Sequence, residues 1–254
     1  MLLTIDVGNT NIALGLYAGP ELVHDWRMRT DPQMTADELA PTMRGLLGDH
    51  ADAVTGVSAL STVPAVLREL RVMLGRYYQA VPRVIVEPGV RTGVPLLVDN
   101  PKEVGADRVV NTLAAFTLYG GPSIVVDVGT TTTFDVISSR GEFLGGAFTP
   151  GIEISFDALA ARAAQLRKVE PVKPRSVIGK NTVECLQAGM YFGYAGLVDR
   201  IVDRMTEELG EVKAVIATGG LAPVVLGECR TVTHHEPMIT LIGLRMVYER
   251  NISS

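Results

Sequence analysis

Apolar residues in this chain fall into short runs and into helical stripes, and the two patterns take turns along its length. Met1 to Ile5 is an apolar run that stops at Asp6, and Ile12 to Tyr17 resumes it, so the pair reads as two strands with a turn at Gly8-Asn9. Leu22 to Arg29 alternates as a third strand would. Thr35-Ala36-Asp37-Glu38 opens a helix to about Leu47, because Thr35 can cap it and Glu38 stands three residues on. Val54 to Leu60 predicts a strand, Pro64 to Tyr78 a helix, and Arg83 to Val86 another strand. A loop follows through Pro88, Gly89, Gly93 and Pro95. Val109, Leu113 and Phe116 then form one stripe of a helix over 104–119.

Gly120-Gly121-Pro122 is the strongest punctuation in the chain, and after it the opening pattern restarts. Strands are expected at Ser123 to Val128, Thr132 to Ser138 and Phe143 to Ala147, then a helix from Ile154 to Leu166 and a loop from Val169 to Arg175. A long helix is expected from Asn181 to Leu209. Its Gly189, Gly193 and Gly196 weaken it, which predicts close contact with another helix. Ala214 to Thr218 is a strand ending at Gly219-Gly220. A short strand near Val232 and a helix from Leu241 to Tyr248 complete the chain. The expected architecture is α/β, in two related halves spanning 1–119 and 120–254.

Composition narrows the possibilities. The chain has 254 residues, 47% of them hydrophobic and 20% charged, enough apolar material for a sizeable core. A net charge of −5 and no basic run make nucleic acid a poor default partner, although the fold could still assemble a local basic patch. No stretch of eighteen apolar residues spans a membrane, and the N-terminus has no basic, uninterrupted signal segment. Cys185 and Cys229 have no metal-ligand spacing and are expected as buried or half-buried free thiols of a reducing cytoplasm. His234 and His235, adjacent on an apparent strand, point to opposite faces and are expected at an exposed edge rather than on a metal.

The candidate chemistry lies in a repeat. Asp6-Val7-Gly8-Asn9-Thr10 returns about half the chain later as Asp127-Val128-Gly129-Thr130-Thr131, each after an apolar strand. Glycine lets backbone N–H groups approach an anion, and Asn9, Thr10 and Asn11 add donors, so such a turn suits phosphate oxygens. An aspartate would repel phosphate. Its sensible role is to hold a cation bridging to it, Mg2+ in the case of Asp6. Gly8-Asn9 is also an ordinary hairpin turn, and the threonines after Gly129 also suit a strand. An acid and a glycine at the same offset in both halves favour the phosphate reading.

These two turns, with Thr218-Gly219-Gly220, resemble the acetate and sugar kinase, actin and heat-shock ATPase superfamily. That resemblance implies two ribonuclease-H-like (actin-like ATPase) halves with ATP in the cleft between them and the third motif against the adenosine. Asn100 to Arg108, Gly145 to Ile152, Ile178 to Thr182 and the segment from Leu241 to Asn251 resemble the motifs of the type III pantothenate kinases, in the same order over essentially the whole chain. The family implies ATP-dependent phosphorylation of pantothenate to 4′-phosphopantothenate, the first step of coenzyme A synthesis. ATP is then expected on Asp6, Val7, Gly8, Asn9, Thr10, Asn11, Ile12, Ala13, Thr130, Gly219 and Gly220. Pantothenate is expected on Gly105, Ala106, Asp107, Arg108 and Thr182. The resemblance makes Asp107 the proton acceptor and Asp127 the holder of potassium or ammonium. It has Thr182 reach the pantothenate of a neighbouring subunit, which implies a homodimer.

The residues have plainer roles as well. Asp107 suits the start of a helix, Arg108 a surface, and Thr182 a helix cap. Val98 stands where many family members have an aromatic residue, which bears on one substrate contact. Arg167-Lys168 replaces a more usual proline. Two further classes fit the same motifs: a kinase for another small hydroxylated acceptor, and a non-catalytic nucleotide-binding regulatory or accessory protein.

Overall fold

The structure, a computed structural model, describes residues 1–162 and 169–252. In the first half β1 (Leu2–Val7) pairs antiparallel with β2 (Asn11–Ala18), and β2 with β3 (Glu21–Arg29). On the other side of β1, β4 (Gly56–Ser61) and β5 (Arg83–Ile85) add in parallel. Parallel neighbours need crossovers, here α1 (Ala36–Leu47) and α2 (Pro64–Tyr77). The Glu38 carboxylate accepts from the Thr35 amide N–H at 2.9 Å and the Thr35 hydroxyl at 2.8 Å. The helix therefore starts where the Thr-x-x-Glu signal placed it.

The second half repeats this strand for strand. β6 (Ser123–Val128), β7 (Thr131–Ile137) and β8 (Phe143–Pro150) run antiparallel. β9 (Ala214–Thr218) and β10 (His234–His235) join β6 in parallel. One sheet has the order β3-β2-β1-β4-β5 and the other β8-β7-β6-β9-β10. The expected α/β architecture of two related ribonuclease-H-like halves is present. His234 and His235 are exposed on the edge strand, as anticipated.

In the first sheet Leu3, Ile5 and Val7 face α1 and α2, where they are buried with Leu39, Met43, Leu70 and Met73. Their alternates Thr4 and Asp6 face the other way. That second face is covered by α7 (Ile239–Ile252). Ser58 of β4 donates its hydroxyl to the Leu244 carbonyl at 2.7 Å, and Gly243 lets α7 lie against the Val110 carbonyl of α3 (Ala106–Tyr119). The last helix thus belongs to the first sheet. Contacts divide the chain into one unit of 1–94, 99–114 and 238–254, and another of 95–98 and 115–237. The expected division at 119/120 followed the glycines at 120–121. The contact-based units differ from it in three places: 95–98 and 115–119 go with the second unit, and the C-terminal helix goes with the first.

In the second unit α4 (Ile152–Arg162), α5 (Thr182–Leu209) and α6 (Ala222–Val225) cover the face carrying Ile124, Val126, Val128, Val215 and Ala217. Residues 163–166 of the expected helix, and Arg167-Lys168, lie outside the described residues. The buried stripe of α5 is Ala188, Tyr191, Tyr194, Ala195, Val198 and Val202. Gly189, Gly193 and Gly196 fall off it. They are exposed, and a Cβ at any of them would meet nothing within 4 Å. The expected helix–helix contact at these glycines is therefore not made within the described chain. No helix among the described residues is long and apolar enough to cross a membrane.

Candidate active site

The first turn closes between β1 and β2, where the Gly8 N–H donates to the Asn11 carbonyl at 3.0 Å. Its carbonyls are taken up by donors that follow the two flanking strands, β3 and β4. The Thr30 hydroxyl donates to Gly8 O at 2.7 Å. The Thr30 N–H reaches Thr10 O at 2.9 Å and the Thr62 N–H reaches Val7 O at 3.0 Å. A carbonyl oxygen repels phosphate, so this arrangement suits an anion-binding turn. Thr30 and Thr62 were not foreseen, because neither lies near the turn in sequence or in a recognisable motif. Asn9, Thr10 and Asn11 are exposed and Asp6 is half-buried. Val7 and Ile12 are buried in the core, so these two expected ATP contacts can offer backbone atoms alone.

The second turn has the same start. Gly129 donates to the Thr131 carbonyl at 3.3 Å. Gly151, at the end of β8, donates to the Thr130 carbonyl at 3.1 Å, and its bare α-carbon lies against the carbonyls of Gly129 and Thr130. Thr130 is exposed. The third motif meets this turn directly, because β9 pairs with β6 so that Thr218 stands beside Asp127. Gly219 follows with φ +92°, and a Cβ there would stand 2.5 Å from both Asp127 Oδ1 and the Val128 carbonyl oxygen. A side chain would fill that space, so the glycine is a packing requirement of the site. The Asp127 carboxylate and the Val128 carbonyl converge there, two oxygens of the type a hard cation takes as ligands, and the Val128 oxygen also accepts the Leu221 N–H at 3.1 Å. Among the described residues no group of three or more His, Cys, Asp or Glu could hold a metal ion.

Asp107 lies in the first turn of α3. Its carboxylate folds back over Gly105, where a Cβ would collide with Oδ1. Burial pushes its pKa above the ordinary aspartate value. The Arg108 N–H, the Arg108 charge and its own N–H act in the opposite sense. A carboxylate that binds a proton more readily than usual suits general-base work. Arg108, Ala106 and Gly105 are half-buried beside it. On the loop before α3, the Asn100 side-chain amide donates to Glu103 Oε1 at 2.6 Å.

Thr182 is exposed at the start of α5. The cap of that helix is Asn181, whose Oδ1 accepts from the Glu184 N–H at 2.9 Å. Val98 lies within van der Waals distance of Gly145, at the start of the Gly145 to Ile152 motif. The C-terminal motif is structural at one point: the Asn251 amide donates to the Arg91 carbonyl at 2.9 Å and accepts from the Arg91 N–H at 3.3 Å. Cys229 is half-buried, and burial followed by Asp199 and Glu228 pushes its thiol up to about 11. Cys185 is exposed, contrary to expectation, because it falls off the buried stripe of α5.

A family model described as type III pantothenate kinase matches residues 2–204. The type III pantothenate kinase of Salinispora arenicola is 75% identical over 252 residues, covering 99% of this chain and all of that protein. That of Saccharopolyspora erythraea is 68% identical over 265 residues, covering both chains entirely. Among solved structures, a conserved protein of Campylobacter jejuni assigned to the Baf family of transcriptional activators superposes with a TM-score of 0.63 at 17% identity, over 99% of this chain and 100% of that one. The activator of 2-hydroxyisocaproyl-CoA dehydratase from Clostridium difficile, with bound ADPNP, gives 0.58 at 12% identity, over 99% and 96%. Those two likenesses show the fold alone. With the family model covering most of the chain and relatives of this identity matching end to end, the chain belongs to the type III pantothenate kinase family.

Proposed function

We propose that the chain transfers the γ-phosphoryl group of ATP to the primary hydroxyl of pantothenate, giving 4′-phosphopantothenate and ADP. The observation that carries this reading is Asp107: a half-buried carboxylate folded over Gly105 at a helix start, with raised proton affinity and Arg108 next in sequence. Asp107 accepts the hydroxyl proton as the new O–P bond forms and the bond between the γ-phosphorus and the bridging oxygen breaks. Arg108 offers a charge to the pantothenate carboxylate, and Gly105 and Ala106 leave room for the acceptor. Phosphoryl transfer depends mainly on positioning and charge neutralisation. The backbone from Asp6 to Ala13, with Thr130, Gly219 and Gly220, is assigned to ATP. Mg2+, placed by Asp6 through the phosphates, and potassium or ammonium at Asp127 would neutralise phosphate charge when bound.

The enzyme works as a cytoplasmic homodimer in this reading. Thr182 reaches the pantothenate of the neighbouring subunit, and the exposed glycine-bearing face of α5 provides a surface for a second copy. A coupled ADP-release assay with pantothenate, in potassium, ammonium or sodium buffer, tests the proposal. Turnover should require pantothenate and rise in potassium or ammonium. Absence of pantothenate-dependent turnover would overturn the function, and equal rates in the three buffers would remove the cation from Asp127.

A further inference from the structure

Because the two sheets share one strand order, their corresponding positions can be compared directly. At the carboxyl ends of the three parallel strands of the first sheet, Asp6 stands beside Leu60. The next row position beyond Leu60 is Val86, whose N–H donates to the Ala59 carbonyl at 2.8 Å. Leu60 and Val86 are buried. In the second sheet Asp127 stands beside Thr218. The next position there is Glu236, whose N–H donates to the Ala217 carbonyl at 2.9 Å. The same ladder bond thus sets a valine in one half and a glutamate in the other. Side chains in one row of a parallel sheet share a face, so Asp127, Thr218 and Glu236 point the same way. The two carboxyl-bearing residues lie two strand spacings apart, about 9–10 Å between backbones. The half-buried Glu236 accepts from the Tyr119 hydroxyl at 3.4 Å. The Tyr119 ring is itself packed on His234, with centroids 4.6 Å apart.

We infer that Glu236, oriented by Tyr119, accepts hydrogen bonds from the ribose hydroxyls of the bound nucleotide. The order along the edge is an acid, Asp127, then the bare backbone of Gly219-Gly220, then a second acid, Glu236. A nucleoside di- or triphosphate has the matching order: charged phosphates, then a vicinal diol. A carboxylate is an acceptor with two oxygens and suits a diol, whereas it would repel phosphate. Ligands of open α/β sheets gather at the carboxyl ends of parallel strands, which is where this row lies. The corresponding row of the first half is apolar beyond Asp6, so the polar row is a property of the second half and not of the fold.

The inference rests on the assignment of ATP to Gly219 and Gly220. Calorimetric titration of the full chain with ADP, 2′-deoxy-ADP and 3′-deoxy-ADP in the presence of Mg2+ tests it without catalysis. ADP should bind roughly ten-fold more tightly than at least one deoxy analogue, as a charge-assisted hydrogen bond implies. Glu236→Ala should bind all three equally, at the weaker level, and Tyr119→Phe should narrow the gap. If the alanine variant fails to fold, Glu236→Gln, which keeps the size, carries the comparison and should likewise lose most of the discrimination. Equal binding of the three nucleotides by the wild type, or full discrimination in the Glu236 variants, would overturn the inference. Pantothenate-dependent turnover decides the function separately. Discrimination without turnover keeps the ribose assignment and sinks the kinase reading, and turnover without discrimination does the reverse.

Discussion

The burial that makes Asp107 a better proton acceptor also makes its negative charge harder to accommodate in the folded state. Its folded pKa lies above the unfolded one. Its contribution to stability is therefore complete below the ordinary aspartate range and is lost as pH rises through the folded value. Asp107→Asn, which has no charge to bury, should melt at a higher temperature than the wild type at neutral pH. The same variant should lose roughly 10²–10⁴-fold in kcat, the usual worth of a positioned general base. A melting curve and a turnover assay on one sample check both. In the wild type the acid limb of the kcat/KM profile should lie above the ordinary aspartate range, since the base must be ionised to act. Gly105→Ala would force the carboxylate off its position, and a displacement of that size should lower turnover by about 10²-fold. Cys229, with its thiol pushed up to about 11, should resist iodoacetamide at pH 8 while the exposed Cys185 reacts, so mass spectrometry should find one adduct.

Among the elements, α5 joins a structural cap to a proposed substrate contact one residue away. Asn181 accepts the Glu184 N–H, and the Glu184 carboxylate accepts the Lys180 N–H at 2.8 Å and pairs with Arg175 at 2.9 Å. The capping signal is local in sequence, and the start of the helix agrees with it. Asn181→Ala should cost about 1 kcal/mol of stability. It should also raise the KM for pantothenate more than that for ATP, because the loosened first turn holds Thr182. Equal effects on the two constants would separate the cap from the acceptor site. The glycines of α5 show the limit of element-level reading. Their spacing pointed to a helical neighbour, but a spacing cannot say which face of the helix the core will take.

For the whole molecule, the decisive feature is the return of the last helix. The segment 239–252 follows the edge strand of the second sheet in sequence but packs on the first. Leu244 is fully buried there, and its carbonyl accepts the Ser58 hydroxyl. Leu244→Ala should cost about 2–5 kcal/mol, the usual range for a buried leucine. Hydrogen exchange by mass spectrometry should then rise in β1 and β4 and not in β6 and β9. Faster exchange in the second sheet would instead attach the last helix to that half, as the sequence-based division did.

Features whose physics is local were legible in the order of the residues. The period-2 runs, the capping signals and the glycine turns placed nearly every strand and helix. The repeated Asp-Val-Gly announced two similar sheets, and the motif from Gly105 to Arg108 put Asp107 at a helix start. Features that depend on residues far apart in the chain emerged with the packed fold. It set the carbonyls of the first turn against Thr30 and Thr62, and Gly219 against the Asp127 carboxylate. It placed Glu236 in the row of Asp127 and returned the last helix to the first sheet. These follow from strand order and from which face of an element meets the core. Strand order leaves no periodic trace in the sequence, because the pairing partner of a strand is chosen by the packing of the whole fold.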